Sequence, residues 1–382
     1  MCAMSDLPHS YTEMGREALL TGIAARKEEL GERLCILGHH YQSDDVIQFA
    51  DHRGDSLKLS QIASEQTAEY IVFCGVHFMA ESADILTSDA QTVCLPNLAA
   101  GCGMADMADA ADVATAMEEV TRLAKGSRVV PVTYVNSTAA IKAVTADWGG
   151  ACCTSSNVKN VFDMAMTPHS FGGGDADKIF AIPDQHLGRN TAYAMGRSAR
   201  DCVVYNPQLP DGGLTTEQVQ AATFILWKGW CYVHQTFTTL QVARARAESP
   251  TATVIVHPEC PRDVVAVSDL AGSTSQIIST IDAAPAGSEW VVATEANLVY
   301  RLAAQYPDKP IRLLGDGAAQ CVQMARIDLP HLLWSLDSIA AGEPVNVITV
   351  PPAMAEKAQV ALNRMIEVKA STSVVRISRR GR

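Results

Sequence analysis

The sequence predicts an α/β protein built from three similar three-layer α/β/α domains, and three observations carry that expectation. Short apolar, β-branched runs alternate with amphipathic helical stretches along the chain, as parallel strands buried between helices do. One strand–turn–helix pattern recurs without a gap between residues 39–56 and 257–274. A cysteine recurs at a matching place in each of three copies.

Taken in order, Leu34–Leu37 reads as a strand, Asp44–Ala50 as a helix and Ser56–Glu69 as another. Ile71–Phe73 is a strand leading into a helix over Ala80–Leu86. Val129–Val135 is a strand and Ala139–Val144 a helix. Ile179–Ile182, Val254–Val256 and Val291–Ala293 are further strands, each followed by helix-permissive sequence. Residues 167–175 and 206–213 are dense in Gly, Pro, Asn and Asp and read as surface loops. The tail from Arg376, with Arg379, Arg380 and Arg382, reads as a solvated, frayed terminus.

The repeat is specific in register. His39, Val46, Asp51, Gly54 and Ser56 correspond to His257, Val264, Asp269, Gly272 and Thr274. A third copy runs through Tyr134, Val135, Asn136 and Ile141 to Ser155, with four residues inserted. Strands at Ile71, Ile179 and Trp290 are followed, after 31, 52 and 31 residues, by Cys102, Cys231 and Cys321. The expected domains are 1–125, 126–248 with loop insertions, and 249–382 with a C-terminal helical extension. A pseudo-threefold arrangement of these copies would bring three thiols to one point.

Three thiols are the wrong set for structural zinc, which prefers four ligands and paired CxxC units. No CxxC occurs, since Cys152 and Cys153 are adjacent. Three protein thiolates suit a [4Fe-4S] cubane with one iron left open, where a substrate oxygen can bind and depart as water. Cys35, Cys74, Cys94, Cys152, Cys202 and Cys260 read instead as small buried hydrophobes, and Cys2 as terminal. Cys153 is ambiguous, because it adjoins a candidate ligand-binding turn.

Composition sets limits on partners. The 382 residues are 48% hydrophobic and carry 30 Lys and Arg against 42 Asp and Glu, a formal charge of −12. That excludes wholesale disorder and disfavours a general nucleic-acid binder. No stretch reaches the ~18 apolar residues of a membrane span, and no signal peptide is read at the N-terminus. Eleven cysteines without an export signal point to reduced thiols and the cytoplasm.

The segments HHYQSDDVIQFADHRGDSLKLS, GVHFMAESADIL, LPNLAAGCGMADMA, VTYVNSTAAIKA, CTSSN, IPDQHLGRN, GWCYVH, VHPECPRDVVAVSDLAGSTSQI, ATEANLVYRLAAQYPDKP and CVQM together resemble the quinolinate synthase family. They run in family order from about residue 35 to 335. The resemblance implies three α/β domains around a [4Fe-4S] cluster and condensation of iminoaspartate with dihydroxyacetone phosphate, releasing phosphate and water. It implies cluster ligands at Cys102, Cys231 and Cys321. It implies substrate contacts at His39, Ser56, Tyr134, Val135, Asn136, Ser155, His257, Pro258, Glu259 and Thr274. An aspartate oxidase or dehydrogenase would be the supplier of iminoaspartate. The chain departs from the family at His40, where a tyrosine is usual, and at Gln235, where many members carry an acid.

The residue types suit that chemistry. Hydroxyls at helix starts (Ser56, Ser155, Thr274) can bind oxyanions at the positive helix end, although a single such hydroxyl is more often an ordinary N-cap. His39 and His257 can hold carboxylates or shuttle protons. Tyr41, Glu259, His257 and His234 are the candidates for proton transfer. Glu259 is expected on the strand that carries His257, two residues on and on the same face. An iron–sulfur sensor without turnover and an aconitase-like hydro-lyase are the competing readings.

Overall fold

The computed structural model describes residues 7–168, 176–315, 317, 319–371 and 373–377. Cys2, residues 169–175 of the first expected loop and Arg379, Arg380 and Arg382 lie outside the described residues. The chain forms two compact units: one runs up to Cys102 and includes Cys321–Pro352, the other is Gly103–Gln320 with the chain from Ala353 onward.

The first unit contains a four-stranded parallel sheet of β1 (Leu34–His39), β2 (His52–Gly54), β3 (Tyr70–Cys74) and β4 (Thr92–Cys94), in the order β2-β1-β3-β4. The second unit holds two sheets. One comprises β5 (Val129–Tyr134), β6 (Ala151–Cys153), β7 (Lys178–Ile182), β8 (Cys202–Tyr205) and β9 (Phe224–Trp227), all parallel, in the order β6-β5-β7-β9-β8. The other comprises β10 (Thr253–Val256), β11 (Leu270–Ala271), β12 (Trp290–Ala293), β13 (Ile311–Leu313) and β14 (Val375–Arg376), in the order β13-β12-β10-β11-β14. Among the described strands of this sheet, β14 alone runs antiparallel. Without β8 and β14, all three sheets share one order: second strand, first, third, fourth.

The leading strands β1 and β5 are buried at every position, so they read as apolar runs without alternation. The first and third copies agree down to single bonds. Asp51 accepts the Ile36 N–H at 2.7 Å and returns its own N–H to the Ile36 carbonyl at 2.8 Å. Asp269 does the same with Val254, at 2.9 and 3.0 Å. The amphipathic helix Ala110–Leu123 packs on the middle sheet, setting Val113, Met117 and Val120 against Phe180, Ile225 and Trp227.

The structure corrects several boundaries. The first expected helix is a single turn, Asp44–Ile47, and the second stops at Glu65 because β3 begins at Tyr70. The middle insertion is more than loop: its residues Cys202–Tyr205 pair with β9 as a strand. Arg376 is not frayed, since β14 pairs it with Leu270. Cys202 is half-buried rather than fully enclosed.

Candidate active site

Each of the three cysteines sits in the same local frame. The carbonyls of Ala100, Gly229 and Ala319, each two residues before a cysteine, accept N–H bonds from His77, Gln185 and Ala296 at 2.8, 3.0 and 2.8 Å. Those donors are the first residues of the helices that follow β3, β7 and β12. Three residues after each cysteine a 3-10 turn begins, at Ala105, His234 and Met324. Eight residues after it a helix begins, capped by the side chain of Asp109, Thr238 or Asp328. Gly229 is required by close approach: a Cβ there would lie 2.3 Å from the Pro183 carbonyl oxygen.

Cys102, Cys231 and Cys321 are partly exposed, whereas Cys35, Cys74, Cys94, Cys152, Cys153 and Cys260 are buried. Burial pushes the thiols of Cys35, Cys74, Cys94 and Cys152 up to about 12, and those of Cys153 and Cys260 well above their ordinary value. Cys153 is therefore a core thiol.

Beside Cys231 the second unit builds a buried polar cluster. His234 Nδ1 lies 2.8 Å from a Glu259 carboxylate oxygen, with both side chains almost wholly enclosed. A single point lies within reach of Cys231, His234 and Glu259, whose donor atoms are all within 4.8 Å of one another. His234 stacks on His257 with ring centroids 4.5 Å apart and planes 20° apart, and Tyr134 hydrogen-bonds Glu259. Burial opposes ionisation of Glu259, but the two imidazoles and the bonds from His234 and Tyr134 outweigh it and hold the carboxyl below its ordinary range.

Glu259 is not on a strand. β10 ends at Val256, and residues 257–260 form a tight turn closed by the Cys260 N–H to the His257 carbonyl at 3.0 Å. The turn also fixes the histidine: the Glu259 N–H donates to His257 Nδ1 at 3.3 Å. A neutral ring bound this way carries its proton on Nε2. In the first unit the Tyr41 N–H donates to His39 Nδ1 at 3.1 Å, and Tyr41 meets His39 edge-on at 4.7 Å. The same turn thus places Tyr41 in one copy and Glu259 in another.

The hydroxyls at the helix starts are not the caps. Asp55 caps the helix Ser56–Glu65 through the Lys58 N–H, and Ser273 caps Thr274–Asp282 through Gln276, so Ser56 and Thr274 occupy the first helical position. Ser155 lies in a turn before the helix Val158–Ala165. Its place is nonetheless equivalent, because the carbonyls of Asp55, Thr154 and Ser273 each accept the N–H four residues on. Asn136 keeps a buried side-chain oxygen with no donor among the described residues. Val135 uses its backbone internally, donating to the Cys153 carbonyl and accepting from Ser137. The Pro258 carbonyl accepts from Asn190.

Asp184 escaped the sequence reading. It follows β7 and caps the helix Gln185–Ala194 through the N–H groups of His186 and Leu187 at 2.6 and 2.8 Å. Burial, then the charge of nearby Glu259, raises its carboxyl well above the ordinary value, whereas the Glu259 carboxyl is held below its own. Its place inside IPDQHLGRN was the available signal, but an Asp before a helix reads as a plain cap.

A sequence model of the family described as Quinolinate synthetase A protein matches residues 21–367. The chain belongs to that family. It is 50% identical over 367 residues to the quinolinate synthase of Bacillus subtilis (strain 168), covering 95% of this chain and 96% of that protein. It is likewise 50% identical to the quinolinate synthase of Geobacillus sp. (strain WCH70), covering 96% and 98%. Among the described residues, no helix is long and apolar enough to cross a membrane.

Proposed function

We propose that the chain is a quinolinate synthase, joining iminoaspartate to dihydroxyacetone phosphate with loss of phosphate and water, a step of NAD biosynthesis. The observation that carries this is the Glu259 carboxylate held between His234, His257 and Tyr134 beside Cys231, in a chain half identical to quinolinate synthases along nearly its whole length.

Cys102, Cys231 and Cys321 are the proposed ligands of a [4Fe-4S] cluster, and the donor chemistry fits. They are the cysteines that share one backbone frame, and burial does not enclose them as it does the core thiols. A Cβ at Gly101 or Gly103 would meet no atom within 4 Å, so Cys102 has room beside it for a bulky group. Bound there, the cluster supplies an iron with an open coordination position that eases departure of a substrate oxygen.

The chain's own residues take the remaining roles in this reading. His257, with Nδ1 occupied by the Glu259 N–H, presents an Nε2 proton to a substrate carboxylate, and His39 is equipped the same way. Ser56, Ser155 and Thr274, relieved of capping, lend hydroxyls and helix-start N–H groups to oxyanions. Asn136 offers its free oxygen, and Tyr134, Val135 and Pro258 shape the wall. The Glu259 carboxylate is the proton acceptor; Tyr41 and His234 move protons at the phenol oxygen and ring nitrogens. The repeats are read as domains 1–125, 126–248 and 249–382. Eleven cysteines read as reduced thiols support a cytoplasmic setting, with an aspartate oxidase or dehydrogenase as the proposed supplier of iminoaspartate.

Anaerobic incubation of the reconstituted protein with iminoaspartate and dihydroxyacetone phosphate tests the reading. Quinolinate and phosphate should form together. A protein that holds iron and sulfide but yields no quinolinate would be a sensor, and dehydration of a hydroxy acid alone would make it a hydro-lyase.

A further inference from the structure

Within the second unit a groove of about 790 Å³ runs past the Ser155 turn. Among the described residues its lining includes Lys159, Arg197, Arg262 and Arg376 but no Asp or Glu, in a chain of formal charge −12. Tyr134, His257, Glu259 and Thr274 do not line it, whereas Ser155 and Pro258 do, so the groove adjoins the proposed substrate turns without including the cluster around Glu259. Such a concentration of positive charge against the global balance needs an explanation.

Three of the four cations are not committed elsewhere. Lys159 pairs with Asp163 at 2.7 Å, but Arg197, Arg262 and Arg376 have no carboxylate within 4.0 Å among the described residues. The Arg262 guanidinium lies 4.1 Å from the Tyr193 ring centre, which holds its planar fork in place without using its N–H donors. The backbone supports the lining. Arg376 is fixed by β14, Ser371 donates its N–H to the Ser156 carbonyl at 2.8 Å, and Gln276 donates to the Ser371 carbonyl at 2.7 Å.

We propose that this groove is a capture site for a small phosphate monoester, held by Arg197, Arg262 and Arg376 before it reaches the Ser155 turn. A phosphate monoester carries about −1.5 to −2 on one group and suits several guanidinium groups at once. A carboxylate carries a single charge and one pair of oxygens. The proposal rests on the reading of the chain as a quinolinate synthase for the identity of its natural ligand, dihydroxyacetone phosphate. Clusters of one sign in a cleft raise local ligand concentration and association rates.

The test uses the full chain with its cluster, anaerobically, as parent, Arg262→Gln and the triple variant Arg197→Gln/Arg262→Gln/Arg376→Gln. Phosphorus NMR titration reads binding of inorganic phosphate directly, and steady-state kinetics reads KM for dihydroxyacetone phosphate at two salt concentrations. The triple variant should bind phosphate about tenfold more weakly and show a KM about tenfold higher, with kcat at saturation within about twofold of parent. Its salt dependence should flatten, while its visible spectrum and melting temperature match the parent. Arg262→Gln alone should shift both measurements in the same direction. Unchanged phosphate affinity and KM in the triple variant would overturn the proposal. Loss of succinate binding with phosphate binding retained would overturn the phosphate assignment. Phosphate binding that depends on these arginines in a protein making no quinolinate would sink the enzymatic reading and leave the groove standing.

Discussion

His234 and His257 stack face to face at 4.5 Å, and both imidazoles act on the Glu259 carboxylate. His234 comes from the 3-10 turn after Cys231 and His257 from the turn after β10, so two segments distant in sequence meet at one carboxylate. The groups that hold this buried carboxylate ionised, two imidazoles and a phenol, are themselves proton carriers, which is the basis for proposing proton transfer at this cluster.

Glu259→Gln keeps the shape of that carboxylate and removes its charge. Quinolinate formation should fall by about 10²–10⁴-fold, the usual contribution of a general base, with the visible spectrum unchanged. Tyr41→Phe removes the counterpart group in the first unit and should act similarly. Rapid-quench product analysis checks both; near-parent quinolinate output from both would leave them as pocket walls.

Thiol chemistry separates ligands from core cysteines. At pH 8 a thiol pushed up to about 12 is ionised to roughly 10⁻⁴, so Cys35, Cys74, Cys94 and Cys152 should resist iodoacetamide in the folded protein. Cys202, half-buried and pushed up to about 11, should react slowly. In cluster-free protein Cys102, Cys231 and Cys321 should label first, and reconstitution should protect them. Peptide mass spectrometry reads the order. Single Ala variants of these three should lose the brown chromophore, and Cys35→Ala should keep it.

Much of this was legible beforehand because the chain repeats itself. A gap-free register between His39–Ser56 and His257–Thr274 needs no three-dimensional information, and the cysteines recur at fixed distances. The short strands β2, β4, β6, β11 and β13 were not legible, because two or three residues carry no periodicity. VIVHPE looks extended through Glu259 in sequence; the turn shows only in the Cys260 bond to His257. Asp184 takes its meaning from Glu259, distant in sequence, and a helix cap gives no hint of that neighbour.

The hydroxyls of Ser155 and Thr274 can be tested apart from capping. Ser273 caps its helix, and Thr154, not Ser155, accepts the Ser156 N–H in the turn before Val158–Ala165, so Thr274→Val and Ser155→Ala should leave the melting temperature nearly unchanged. Losing a hydroxyl that binds a charged group costs about 1.5–3 kcal/mol, so quinolinate affinity should weaken about 10- to 150-fold. Calorimetric titration of quinolinate into each variant provides the measurement. Unaltered affinity in both would assign these hydroxyls to packing.

Asp184 offers a test of charge against shape. Burial and the Glu259 charge both oppose ionisation of its carboxyl and raise it well above the ordinary value. Asn presents the same planar group without charge, and its oxygen can still cap the helix through the His186 and Leu187 N–H groups. Asp184→Asn should therefore melt close to parent across pH 6–8. Asp184→Ala removes the cap and leaves buried donors unpaired, which costs about 1–3 kcal/mol. An ionised Asp184 would behave oppositely: Asn would then relieve repulsion with Glu259 and raise the melting temperature measurably. Parallel unfolding curves for the two variants and the parent separate these cases, and the spectrum of the reconstituted Asn variant shows whether the turn at Cys231 has kept its place.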